Sequence, residues 1–394
     1  MRLSRVAVGM RPGVFAELQG HIDAAQRAGV RLCPLHIGDT CLAPPEVVPA
    51  HLREPRAEWF AYGATSGLGA LREAVAERLR THRGIAHATA EQVMIGAGAT
   101  HALHCVSRAL FDEGDQIIAC APYWPLAPGI FHSVGAETVQ VNTHAPGFVL
   151  RDALQQALTP RTRAVYFVSP GNPDGVVYTE DDHRVIDGFA QEHDLMVIAD
   201  EVYADLVFDG ASAPSFASRA TAAARTVVLQ SFSKSHALAG LRVGAALMPA
   251  PLVQAALRFS THTAFNVPLA SQEAARAALQ HGDTWVQNAR AEYQGTRDAV
   301  AAAMAGARFP VAIPQGGTYF FLDFAPILGE RPLGDLLSRL VRDAGVILTP
   351  GPAFGDAFAT HARLCFTSVP RDTVLAAVSS MMNVLDSFAV QARG

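Results

Sequence analysis

The feature that most constrains this chain is an alternation running from about residue 66 to residue 248, in which short apolar runs are separated by longer amphipathic stretches. Residues 91–95, 116–121, 138–141, 163–168, 195–200, 226–230 and 243–248 read as strands, and 71–79, 100–110 and 181–192 as helices. A strand that is apolar on both faces has to be covered on both faces. The pattern therefore predicts an α/β fold, a three-layer α/β/α domain built on a mainly parallel sheet. After Pro251 the character changes: one long helix is expected over 272–306, then strands at 318–324, 346–348 and 363–367, with a helix at 333–344. This α+β segment groups with the beginning of the chain as a small domain drawn from both termini (1–45 and 286–394), which leaves 46–285 as the large domain.

At 394 residues, half of them apolar and 17% charged, the chain is too long for one compact core and too apolar for disorder. The charge balance, 31 minus 36 or −5, gives no reason to expect nucleic acid or an anionic membrane as a partner. The five cysteines (Cys33, Cys41, Cys105, Cys120, Cys365) are scattered and read as reduced core thiols. No run approaches the ~20 apolar residues of a membrane helix, so the expectation is a cytoplasmic protein.

In open α/β sheets, ligands bind beyond the carboxyl ends of the strands, so polar residues just after each strand are where chemistry is sought. The densest signal is Ser231-Phe-Ser233-Lys234-Ser-His-Ala-Leu-Ala-Gly240-Leu-Arg242-Val-Gly244. A lysine amine can form an imine with an aldehyde, and flanking hydroxyls with a guanidinium can hold a phosphate tail. The alternative, a solvated loop lysine beside a helix cap, leaves the arginine spacing unexplained. Asp200 ends an apolar strand, where its carboxylate can meet a protonated pyridine nitrogen, and Tyr203 follows three residues later. Asn172 lies in the turn Ser169-Pro-Gly-Asn-Pro-Asp174-Gly175. Gly96-Ala-Gly98-Ala99-Thr100 opens a helix, whose free N–H groups make an anion site. A dinucleotide fingerprint there is incomplete, and the next strand ends in Cys120-Ala-Pro without an acid for ribose. Trp124 offers a flat ring for stacking. His101, His104 and Cys105 lack a fourth ligand at metal spacing and read as a packed helix face, so no metal is expected.

These elements, in this order, resemble the fold-type I aminotransferases of the aspartate aminotransferase superfamily (class I/II) over nearly the whole chain. The resemblance implies a seven-stranded large domain, pyridoxal 5'-phosphate as cofactor, a homodimer with shared active sites, and an amino acid and a 2-oxo acid as substrates. It implies that Lys234 is the Schiff-base lysine and general base. Asp200 would bind the pyridine nitrogen, Asn172 and Tyr203 the phenolic oxygen, and Trp124 would stack. Gly98, Ala99, Thr100, Ser231, Ser233 and Arg242 would hold the phosphate. Tyr62 would reach the neighbouring subunit's phosphate, with Asn266 in a loop that crosses the same interface. Arg363 would fork onto the substrate α-carboxylate, which the Gly38 backbone also approaches.

Three positions depart from the family pattern: Asp174 stands where threonine is usual, Asp39-Thr40-Cys41 follows Gly38, and His236 stands where many relatives carry a large apolar residue. They predict added polarity at the substrate mouth. Transamination is the leading expectation. A lyase, cyclase or oxidase using the same residues is the alternative. A cofactor-binding transcription regulator would need a DNA-binding domain, for which the matched region leaves no room.

Overall fold

The period of two in the strand segments decides how the computed structural model, which describes residues 1–10, 14 and 16–390, is layered. Among these residues seven strands form one sheet: β1 (Val93–Gly96), β2 (Gln116–Ala121), β3 (Glu137–Asn142), β4 (Thr162–Val168), β5 (Met196–Asp200), β6 (Thr226–Ser231) and β7 (Gly244–Leu247). Their order is β1-β7-β6-β5-β4-β2-β3, parallel except for β7, which runs antiparallel to both neighbours. Ile117, Ala119, Tyr166 and Ile198 pack on one face with Ala102, Leu103 and Val106 of the helix Gly98–Leu110. The alternate residues Ile118, Cys120, Val165, Phe167 and Val197 pack on the other, against Ile186, Phe189 and Ala190 of the helix Glu180–Glu192. Both faces are covered, which is why these strands read as unbroken apolar runs.

A second, antiparallel sheet is made by β8 (Tyr319–Asp323), β9 (Thr349–Pro350) and β10 (His361–Cys365), in the order β8-β10-β9. Its core joins Leu18, Ile22 and Leu35 from the start of the chain to Phe320, Leu322, Leu336, Met381 and Phe388 from its end. Residues from both ends of the chain thus share one apolar cluster.

Two expectations are corrected. The single helix over 272–306 is two, Leu269–His281 and Asp283–Ala303, parted at Gly282, whose low helix propensity is followed by an acid suited to a helix start. The strand expected at 346–348 lies later, at β9, while Val346 forms an isolated parallel bridge with Cys33.

What matters for function is the register at the strand ends. Val168 pairs with Asp200, and Asp200 with Leu229, two residues before the end of β6. The carboxyl ends of β4, β5 and β6 therefore lie side by side, and the turns that follow them meet.

Candidate active site

At the end of β6 the chain enters a one-turn helix, Phe232–Ser235, capped by the Ser231 hydroxyl, which accepts from the Ser233 N–H at 3.2 Å. This turn places Lys234 over the sheet edge, where its Nζ donates to the Gly38 carbonyl. Asp200, at the end of β5, is buried and accepts from the Tyr166 hydroxyl at 3.1 Å and the Val202 N–H at 3.4 Å. Burial pushes its carboxyl up to about 6; the two donors pull it partly back, and the neighbouring Glu201 carboxylate raises it again. A carboxyl held in this way ionises readily once a cation lies beside it.

Lys234 and Asp200 line one cavity of about 170 Å³. Gly98, Ala99, Thr100, Trp124, Asn172, Tyr203, Ser231, Ser233 and Arg242 line it too, so the structure brings together every expected cofactor residue except Tyr62. Tyr62 stands away from it, 87% exposed, with its ring edge-on to Phe265 at 5.2 Å. Asn266 is turned onto its own loop, donating to the Val267 carbonyl at 2.9 Å. Sequence reasoning missed the apolar walls Val168, Val202 and Leu229. Their signal was position alone, next to polar residues at strand ends.

One end of the cavity is suited to an anion. No side chain caps the helix Gly98–Leu110, so its first N–H groups lack an intrahelical acceptor. Gly98 has φ +78°, and a Cβ there would meet Arg242 Nη2 at 2.7 Å. A Cβ on Gly244 would run into the Ala99 backbone nitrogen. Two absent side chains thus let backbone donors and a guanidinium crowd one spot. The Arg242 guanidinium donates to the Ala239 carbonyl at 3.0 Å. The opposite end offers Asp200. A dianionic tail at one end and a basic ring nitrogen at the other is the outline of pyridoxal phosphate, and the residues present fit it.

Arg363, on β10, is buried beside this cavity. Its recorded partners are uncharged: the Asn172 amide oxygen at 2.9 Å, the His36 carbonyl at 2.7 Å and the Thr349 hydroxyl at 3.2 Å. Its Nε has no hydrogen-bond partner among the described residues. A buried guanidinium without a carboxylate is costly unless a ligand supplies one. Because Asn172 uses its oxygen on Arg363, its Nδ2 is the group left to donate into the cavity. Arg363 also lies over the Tyr319 ring, 4.2 Å from its centroid, and the Tyr319 hydroxyl is 2.6 Å from that of Tyr203. Gly38 must be glycine here, since a Cβ would run into the Tyr319 hydroxyl. Tyr319 was not singled out from the sequence; its only signal was a tyrosine among the phenylalanines of an apolar strand.

None of the three departures lines this cavity. Asp174 caps Val176 N at 3.3 Å and pairs with His144 at 3.0 Å. Asp39 accepts from Thr40 N at 2.9 Å. His236 lines a separate cavity of about 20 Å³ with Arg78, Arg83, Asp205 and Gln230. Burial pushes its imidazole down to about 4, against the pull of Asp205 and Asp283. His183 shifts the same way, to about 4, also through burial. Unfolded histidine titrates near ~6.5, so between these values the unfolded chain binds the extra protons and stability falls as pH drops, by up to about 3 kcal/mol for His236. Asp200 acts oppositely, since its raised pKa favours the folded chain below about 6. The two histidines outweigh the one acid. Thermal unfolding from pH 7.5 to 5 is expected to show a falling midpoint, and His236→Gln is expected to flatten the slope.

A family model described as aminotransferase class I and II matches residues 32–381. A probable aspartate/prephenate aminotransferase of Thermus aquaticus is 30% identical over 376 residues, covering 93% of this chain and 95% of that protein. An arginine–pyruvate transaminase of Pseudomonas aeruginosa is 35% identical over 343 residues, 85% of this chain and 86% of its own length. The structure of Thermus thermophilus aspartate aminotransferase with maleate is similar with a TM-score of 0.89 at 28% identity, covering 98% of this chain and 100% of that one.

Proposed function

Because this chain belongs to the class I and II aminotransferases, a family of pyridoxal-phosphate enzymes, we propose that it moves the amino group of an L-amino acid to a 2-oxo acid, with Lys234 as the amine that carries the cofactor. The observation that carries the reading is the convergence of eleven expected cofactor residues on one cavity.

When bound, pyridoxal phosphate supplies a ring that accepts the electron pair released when the substrate Cα–H bond breaks. The residues do the rest. Arg242, Ser231, Ser233 and the N–H groups of Ala99 and Thr100 hold the phosphate. Asp200 sits against the ring nitrogen and keeps it protonated. Asn172 and Tyr203 donate to the phenolic oxygen, and Trp124 covers a ring face. Arg363 takes the α-carboxylate in a two-pronged grip. Lys234 Nζ would take the proton from the substrate Cα and deliver it to the carbon that was the cofactor's aldehyde carbon.

The reading includes a homodimer, in which Tyr62 would reach the partner's phosphate; the exposure of Phe60, Tyr62 and Phe265 supports it. It also includes a cytoplasmic address and a cofactor-holding unit of residues 46–285. No helix among the described residues is long and apolar enough to cross a membrane.

A direct test is to load the protein with pyridoxal phosphate and offer single amino acids without an acceptor. One equivalent of 2-oxo acid per subunit is expected, and continuous ammonia release would instead indicate a lyase. Arg363→Lys keeps the charge but loses the fork. Its kcat/KM for the preferred amino donor is expected to fall by about 10²-fold, with cofactor loading unchanged.

A further inference from the structure

A hydroxyl carries one hydrogen and two acceptor positions. In the 2.6 Å contact between Tyr203 and Tyr319, therefore, only one of the two can donate. Tyr203 lines the cofactor cavity and Tyr319 does not. If Tyr203 donated to Tyr319, its proton would be turned away from the cavity. If Tyr319 donates, the Tyr203 proton is left to point inward, and a donor that is itself accepting a hydrogen bond is strengthened. Burial, with Tyr319 beside it, holds the Tyr203 phenol well above its ordinary range, so that proton stays in place.

The same side chain does something different with its ring. In the β8–β10 pairing Arg363 stands opposite Phe321 and diagonal to Tyr319, and its guanidinium comes to rest 4.2 Å from the Tyr319 centroid. From there Arg363 holds the Asn172 amide by its oxygen. Tyr203 is thus oriented by the Tyr319 hydroxyl, and Asn172 by an arginine seated on the Tyr319 ring. Gly38, whose carbonyl receives Lys234, leaves the room that the hydroxyl occupies.

We propose that Tyr319 is a positioning residue: its hydroxyl directs the Tyr203 proton into the cofactor cavity, and its ring face seats Arg363 for the substrate carboxylate. This rests on the aminotransferase reading above.

Two variants separate the two roles. Tyr319→Phe keeps the ring and removes the hydroxyl. In cofactor-loaded protein without substrate, weaker donation from Tyr203 leaves more negative charge on the phenolic oxygen, so the pH midpoint of the cofactor's visible absorbance is expected to rise by about one unit, the worth of one hydrogen bond. The Kd for propionate, a carboxylate with no amine, is expected to stay within about twofold of wild type. Tyr319→Leu removes the ring as well, and propionate binding is expected to weaken about fivefold, the scale of one cation–π contact. An unmoved midpoint in Tyr319→Phe overturns the hydroxyl role. Equal propionate affinity in wild type and Tyr319→Leu overturns the ring role. In either case wild-type protein still binds the cofactor at Lys234; if it does not, the aminotransferase reading itself has failed.

Discussion

Lys234→Ala is expected to lower turnover by about 10⁴-fold or more, because in the proposed mechanism one change removes both the covalent anchor and the base at Cα. Two readouts check this. Wild-type protein incubated with pyridoxal phosphate and reduced with borohydride is expected to gain one pyridoxyl mass on the peptide that holds residue 234, and the variant none. Added primary amines should restore a small part of the activity, since the cavity that held the side chain remains. Retained turnover without the added mass would remove the lysine from the mechanism. The fold is not at stake: Lys234 is only part-buried and spends its amine on a single carbonyl, that of Gly38.

Asp200→Asn is the second large effect, and it separates cofactor capture from catalysis. The amide keeps an oxygen for the Tyr166 hydroxyl at 3.1 Å and gives up only the longer contact, 3.4 Å, from the Val202 N–H. What disappears is the negative charge that, in the proposed mechanism, faces the ring nitrogen. Removing one member of a buried charged pair costs about 3–5 kcal/mol, which, felt at the transition state, is on the order of 10³-fold in kcat. Covalent loading at Lys234 is expected to persist. A variant within tenfold of wild type would mean that Asp200 does not face the ring nitrogen.

How much of this was legible beforehand depended on sequence distance. Lys234, Ser231 and Arg242 lie within one turn-rich segment, and Asp200 closes a strand, so local pattern alone pointed to them. The layered sheet followed for the same reason, since Ile117 and Ile118 must both be buried. Tyr319 could not be read this way. Its partners, Tyr203 and Arg363, sit on other strands and turns, and only the β8–β10 register brings them within reach. His236 was misjudged because adjacency to Lys234 says nothing about direction: on a one-turn helix, a step of two residues faces the opposite side. The break at Gly282 was lost among alanines that suit either one helix or two.

The two carbonyls of the early loop have a consequence for selectivity. Arg363 grips the oxygen of His36, and Lys234 that of Gly38. In the proposed mechanism the base and the carboxylate anchor are therefore both referenced to a three-residue stretch of main chain, 36–38. The gap between them is gauged by peptide geometry, which no side-chain substitution alters. Such a gauge suits amino acids whose amine and carboxylate share one carbon, and a β-amino acid, longer by a methylene, would place its reacting hydrogen off the mark.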